Sequence, residues 1–425
     1  MDKRVIILFL LVIILVCAIF VFTSINTPSS ISGDLTYNDT DKADTNAILI
    51  SNQNLSLSNL NVSKTGDSSR NSEDSDFYGT NAAVLVQSEG NLKLTNSFIG
   101  SNAIGANGIF VTNGNENGVG AEASLSNIEI STFKDKSRGL DATFGGIING
   151  DNIVINTRGG SCAALATDRG EGIVNVTNSI LNTGVDKSRD IAGSPIIYST
   201  GEIIVKESSG TAHQSQIACI EGKNSIDLNN CDFTCSGKGN REDNGEYVDL
   251  GGFFIYQSMS GDADIGTASL NAKNSDFTID SSSQYYSEAP MFHITNTNAN
   301  INLENCNLNF GSNILIDVSS QNQWGHVGSN GGSLNFTCQN EKLEGNIIVD
   351  SISSLSFNFK FTSFSGAINP NGSFGNTNII IGSDSTWTLT EDSYVTSLVN
   401  NGNINYAGHT LYVNGVAYSE SNQFP

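Results

Sequence analysis

Apolar and polar residues alternate with a period of two in short runs along most of the chain. Ile153 and Ile155, or Ile226 and Leu228, are examples, and Gly or Asn interrupts the runs every few residues. A period of two marks a strand with one buried face, and the interruptions supply turns. An imperfect repeat organises the runs. Leu57-Ser58-Asn59-Leu60, Leu94-Thr95-Asn96-Ser97, Leu125-Ser126-Asn127-Ile128, Val176-Thr177-Asn178-Ser179, Leu228-Asn229-Asn230-Cys231, Ala272-Lys273-Asn274-Ser275 and Leu303-Glu304-Asn305-Cys306 put Asn in one slot, with weaker copies near Asn152 and Ser208. A second strand is predicted after each slot, at 83–87, 109–113, 140–144, 164–168, 196–200, 218–222, 254–258 and 292–296.

Fixed element order with variable loops is solenoid behaviour: coils about 4.8 Å apart hydrogen-bond their neighbours and bury a core that no single unit could bury. The sequence therefore predicts an all-β chain, a parallel β-helix over residues 45–418 with capping coils at its C-terminal end and a tail at 419–425. A β-propeller would need about four strands per ~40–45 residues with blade motifs, and a sandwich would not sustain one Asn slot through so many units. Composition agrees, because 54 Asn and 43 Gly among 425 residues oppose long helices. Stacked Asn side chains at a coil's turn are expected to hydrogen-bond one another, so the slot is structural and not a binding site.

The N-terminus breaks the pattern. Lys3 and Arg4 precede Val5 to Phe22, an unbroken apolar stretch, and a polar run follows. Its 18 residues approach the ~20 needed to span a bilayer and exceed the ~7–15 of a typical cleaved signal. The expectation is an export signal retained as a membrane anchor within 1–23, a polar spacer over 24–44, and residues 24–425 outside the cell, secreted if the signal is cleaved. A net charge of −23 with no basic stripe excludes nucleic acid as a partner. Six exported cysteines form no CxxC pair, and the four histidines form no zinc pattern. Cys231 and Cys306 occupy the same slot two coils apart, roughly 9–10 Å, which is too far for a disulfide.

Ser137-Arg138-Gly139-Leu140-Asp141-Ala142-Thr143, Ala166-Thr167-Asp168-Arg169-Gly170, Tyr198-Ser199-Thr200-Gly201, Glu221-Gly222-Lys223-Asn224-Ser225, Tyr256-Gln257-Ser258-Met259-Ser260-Gly261-Asp262-Ala263 and Ser329-Asn330-Gly331-Gly332 are the more specific blocks. Through them and the repeat, residues 45–415 resemble the right-handed parallel β-helix surface proteins called adhesin-like and, more distantly, the pectate-lyase superfamily. That resemblance implies a right-handed solenoid on the cell surface and no particular chemistry.

Alternation in the second strand sends Ile109/Val111, Leu140/Ala142, Ala164/Ala166, Ile196/Tyr198, Ala218/Ile220 and Phe292/Ile294 inward. The outer columns are then Thr112, Thr143, Thr167, Ser199, Glu221, Gln257, Thr295 and Phe110, Asp141, Leu165, Ile197, Cys219, Ile255, His293. So many apolar residues outside the solenoid point to loop cover or to binding. The candidate ligand-binding residues are Arg138, Asp141, Asp168, Arg169, Glu221, Lys223, Gln257 and Asp262, with Asp141 and Asp168 expected on the solvent side. Acids, amides, hydroxyls and apolar faces on a flat groove suit polysaccharide, with no cofactor required and Ca²⁺ a possible bridge to acidic sugars. The Asp-Asp, Gly-His-Gly and Arg-Ile-Lys motifs of polygalacturonase-like hydrolases are absent from the sequence. The expected role is glycan or cell-surface binding without catalysis; a Ca²⁺-dependent polysaccharide lyase and an inert spacer are the alternatives.

Overall fold

The computed structural model describes residues 36–37, 41–69, 72–185, 193–239, 249–372 and 375–418. Almost every strand pairs in parallel with the equivalent strand one coil away, giving the stacked architecture of a parallel β-helix. One sheet runs through Ile48–Ser51, Val84–Gln87, Ile109–Thr112, Leu140–Thr143, Leu165–Thr167, Ile197–Ser199, Ala218–Glu221, Phe253–Tyr256, Phe292–Thr295, Ile314–Val318 and Asn346–Val349. Eight of these, from Val84–Gln87 to Phe292–Thr295, are the second strands that the alternation predicts, each placed within a residue or two, and Ile48–Ser51, Ile314–Val318 and Asn346–Val349 extend the sheet beyond them. Most of the remaining strands flank the Asn slot. Asn91–Ser101, Glu122–Thr132 and Ile147–Thr157 run through it, whereas later coils divide there, as in Ser225–Asn229 and Asp232–Cys235.

The slot has a backbone cause. Asn59, Asn96, Asn127, Asn152, Asn178, Asn230, Asn274, Asn305 and Asn340 all have φ between 50° and 58°, in the left-handed region that Asn enters more readily than other side-chain-bearing residues. The expected amide ladder forms. Asn127 donates to Asn96 at 2.9 Å, Asn152 to Asn127 at 2.7 Å and Asn305 to Asn274 at 3.0 Å. The weak copy near Ser208 is seated one residue earlier, with Glu207 in the slot at φ 49° and accepting from Asn230.

A second ladder explains the residue after the slot. The hydroxyls of Ser97, Ser179, Ser208 and Ser275 accept the backbone N–H of Leu60, Ile153, Ser179 and Cys231 in the preceding coil. Glu341 plays the same part for Cys306, and Thr362 for Glu341. Small hydroxyls there satisfy a donor that the bend takes out of the sheet. Cys231 and Cys306 hold this position with free thiols, and all six described cysteines are buried and unbridged.

Phe361 occupies the slot at φ 51° and is 53% exposed. A left-handed conformation costs an ordinary residue about 1–2 kcal/mol, which Asn partly escapes. Phe361→Asn is therefore expected to raise the melting temperature, and a fall would mean that the exposed ring stabilises its neighbours more than the backbone strain costs.

Both ends are closed. Thr36–Tyr37, within the stretch the sequence marks as spacer, pairs antiparallel with Ile48 and Leu49, and the backbone carbonyl of Lys42 accepts from Lys64 Nζ at 2.8 Å. At the other end Val416–Ala417 folds back antiparallel on Leu411–Val413. Among the described residues no helix is long and apolar enough to cross a membrane. Residues 5–22, where the sequence places the anchor, lie outside the described residues.

Candidate functional site

Register decides which side chains leave the solenoid through the second-strand sheet. Phe110, Asp141, Ala166, Tyr198, Cys219, Phe254 and His293 are partners in successive coils and form one outward column. Leu165, Ile197 and Ile255 instead belong to the inner core, opposite to their expected side, and Ala166 and Tyr198 point outward. A one-residue slip reverses every side chain of a strand. The coils beginning at Leu165 and Ile197 are slipped by one relative to a reading that started each strand at Ala164 and Ile196. Likewise Tyr256, not Gln257, is the partner of Glu221 and Thr295.

The column is buried all the same. Phe110 and Asp141 are 0% exposed, although they lie outside the solenoid core. Two insertions cover them. Ser72–Tyr78, the one helix among the described residues, lies over the early coils. Tyr78 stacks on Phe144 with ring centroids 5.5 Å apart, and Phe77 O accepts from Thr143 Oγ1 at 2.8 Å. The second insertion carries Trp324 onto the later coils, its ring 4.6 Å from Tyr256. Asn330, from the Ser329-Asn330-Gly331-Gly332 block, shapes this loop by donating to the carbonyls of Gln321 and Trp324 at 2.6 and 2.8 Å. Gly325 is required within it. Its φ is 72°, and a Cβ there would collide with the side-chain amide of Asn296.

Between the two insertions lies a cavity of about 320 Å³. Its lining combines aromatic side chains, Phe77, Tyr198, Phe254, Tyr256 and Trp324, with the carboxylates of Asp76, Asp168, Asp249 and Asp262. Arg138 sits among the acids. It meets Asp76 at 3.1 Å, Asp168 at 2.8 Å and Asp141 at 3.6 Å. Arg169 is tied to Asp262 at 2.6 Å and lies 3.9 Å over the Phe77 ring. The Tyr198 and Tyr256 hydroxyls both donate to the buried Glu221 carboxylate, at 2.8 and 3.1 Å, and Ser258 Oγ bonds it too. Glu221 thus anchors the two tyrosine rings from behind.

Of the sequence candidates, Arg138, Asp168 and Asp262 line the cavity, while Asp141, Arg169 and Glu221 support it from behind or beside. Asp141 and Asp168 are not on a solvated face as expected: they are 0% and 4% exposed, because the helix insertion brings Asp76 down over them and Arg138 closes between. Lys223 stands outside, paired with Glu171 at 2.7 Å and Asp264 at 2.9 Å. Gln257 also stays out of the lining, its amide turned onto the carbonyls of Ser258 and Ala263 at 3.3 and 3.2 Å. The sequence reading missed Asp76, Phe77, Asp249 and Trp324, which lie outside the recurring slot and second strand. It also missed Tyr198, which the slipped register turned inward.

Burial pushes the Asp141 carboxyl well above the ordinary carboxylate range against the pull of Arg138, and pushes Asp168 up to about 7. Glu341, under the second ladder, is likewise raised by burial to about 7. These groups bind protons more tightly folded than unfolded. The stabilisation from Asp168 and Glu341 is present below about pH 4 and is lost as the pH rises through about 7. Melting temperature is therefore expected to fall between mildly acidic and neutral pH, and Asp168→Asn with Glu341→Gln should flatten that slope. A rise over the same window would contradict the burial of these acids.

Among the described residues no three His, Cys, Asp or Glu side chains are grouped to hold a metal ion. Compared with known protein families and with curated proteins, the chain matches none.

Proposed function

We propose that this chain is an exported, right-handed β-helix of the adhesin-like kind, held in the cytoplasmic membrane through residues 5–22, which binds glycan in the covered cavity without acting on it. The observation that carries this reading is the cavity itself. Aromatic side chains together with carboxylates in one lining match what sugar rings need, an apolar platform for their C–H faces and acceptors for their hydroxyls. Its volume falls at the small end of ligand sites, roughly 300–1,000 Å³, which suits a short stretch of a chain.

Arg138 already bridges Asp76 and Asp168, Lys136 also reaches Asp76 at 3.7 Å, and Arg169 already holds Asp262, so a calcium ion would have to displace a basic side chain to gain two carboxylates. Binding is accordingly expected to survive chelation of Ca²⁺. The same pairing argues against a lyase, in which a basic residue must be free to meet the substrate.

The test is a glycan array probed with the full-length chain, with and without Ca²⁺, beside Trp324→Ala. The expected result is a restricted set of bound glycans in both conditions and loss of that signal in Trp324→Ala, with circular dichroism showing that the coils stay folded at the assay temperature. If no glycan is retained in either condition, the reading fails.

A further inference from the structure

At the neck of the helical insertion a lysine stands where the fold asks only for a hydroxyl. Lys64 ends the strand Asn61–Lys64 on an inward-facing position, and the residues matching it in the following coils are Ser101, Thr132 and Thr157. Thr132 and Thr157 each donate their hydroxyl to a carbonyl five residues on, at 2.6 Å, so a hydroxyl is enough to satisfy the turn. Lys64 is 0% exposed, and lysine is almost never fully buried unless it is paired. Its Nζ donates instead to two backbone carbonyls, those of Lys42 at 2.8 Å and of Gly66.

Asn81 shares one of those acceptors. Its Nδ2 donates to the carbonyls of Gly66 and Ile104, at 3.0 Å each, which fixes the end of the amide that carries the nitrogen. Its Oδ1 is then buried without a hydrogen-bond partner, and a fully buried amide with an orphaned oxygen calls for a reason. Gly66 makes the meeting possible, because a Cβ there would come 2.3 Å from the Lys42 carbonyl. We infer that Lys64 and Asn81 are a built pair of reactants that join in an intramolecular isopeptide bond, a covalent staple across the neck of the insertion carrying Ser72–Tyr78. This goes beyond the glycan reading and does not depend on it.

The step balances without a co-reactant. Lys64 Nζ adds to Asn81 Cγ, the Cγ–Nδ2 bond breaks, and Nδ2 departs as ammonium with the surplus protons of the amine. Nζ and Nδ2 donate to the same oxygen, so the attacking and leaving nitrogens are already neighbours. Asn81 Oδ1, with no other partner, is open to take a proton as charge develops on it. Burial lowers the Lys64 amine from its ordinary value against the pull of Asp44, Asp67 and Asp41, which favours the neutral, nucleophilic form. Those carboxylates also give the proton a place to move. The product leaves no buried ammonium, and it closes residues 64–81 into a covalent ring, so that Asp76 and Phe77 reach the cavity from a loop tied to the coil beneath.

The experiment is peptide mapping of the folded full-length chain with trypsin and mass spectrometry. An acylated lysine is not cut, so the expected product is one branched species joining residues 43–70 to 71–93, lighter than its two parts by one ammonia. Lys64→Arg, which keeps donors for both carbonyls but is not acylated by an amide, is expected to release 71–93 unlinked. Asn81→Asp should reach the same branched product by losing water. Recovery of 43–64 and 71–93 as separate peptides from the folded parent chain would overturn the inference, whether or not the variants fold. Loss of ammonia without the branched species would mean a cyclised asparagine and would overturn it too.

Discussion

Arg138→Ala is expected to destabilise the chain by about 3–5 kcal/mol, the usual cost of removing one partner from a buried ion pair. The size of the effect comes from what stays behind. Asp168, 4% exposed, loses its 2.8 Å partner, and Asp141, 0% exposed and pushed towards its neutral form by burial, loses the 3.6 Å contact that opposes that shift. Asp76 loses its 3.1 Å contact at the same time and keeps Lys136 at 3.7 Å. Asp76 belongs to the Ser72–Tyr78 helix, so the loss should reach that helix and raise hydrogen exchange there before the coils beneath it open. Asp141→Asn is the informative control. A carboxyl already driven towards its neutral form by burial resembles an amide, and the variant should stay within about 1 kcal/mol of the parent at neutral pH. Chemical unfolding with exchange mapping checks both. Arg138→Ala at parental stability would mean that the acids around it are solvated.

Much of this architecture is legible in the sequence because its cause is local. A bend that needs positive φ selects Asn coil after coil, and the recurrence of Asn59, Asn96, Asn127 and Asn178 exposes the repeat. Where other residues fill the slot, as at Glu207 and Phe361, the signal fades although the backbone bends the same way. Inward and outward alternation is legible only when the start of each strand is known. The coils at Leu165 and Ile197 begin one residue later than the apolar run suggests, and inner positions there hold Thr167 and Ser199 where an apolar residue was expected. The cavity was half visible. Arg138, Asp168 and Asp262 stand in the blocks that interrupt the pattern, but Asp76, which meets Arg138, and Trp324, which meets Asp249, arrive from insertions 62 and 75 residues away from those groups. No short-range pattern encodes such meetings; they follow from which coils the insertions lie across.

Phe357→Ala is expected to cost about 3–5 kcal/mol and to do so unevenly along the solenoid. Phe357 is 0% exposed and lies in an aromatic column through the later coils, 5.2 Å from Phe336, 4.7 Å from Phe359 and 5.5 Å from Phe364, with Trp387 stacked beyond Phe364 at 5.9 Å. Removing the ring leaves a cavity and strips three aromatic contacts, each worth about 0.5–1.5 kcal/mol beyond the area buried. In a solenoid each coil is stabilised mainly by its two neighbours, so the damage should run from the Ser354–Lys360 strand towards the C-terminal hairpin and not back through the cavity. Amide exchange is expected to lose protection over residues 354–418 while Leu140–Thr143 and Ala218–Glu221 keep theirs. Phe357→Leu, which refills most of the space, should recover most of the loss. Uniform loss of protection from end to end would show that the coils unfold as one cooperative unit, and the two-neighbour account of this solenoid would then be wrong.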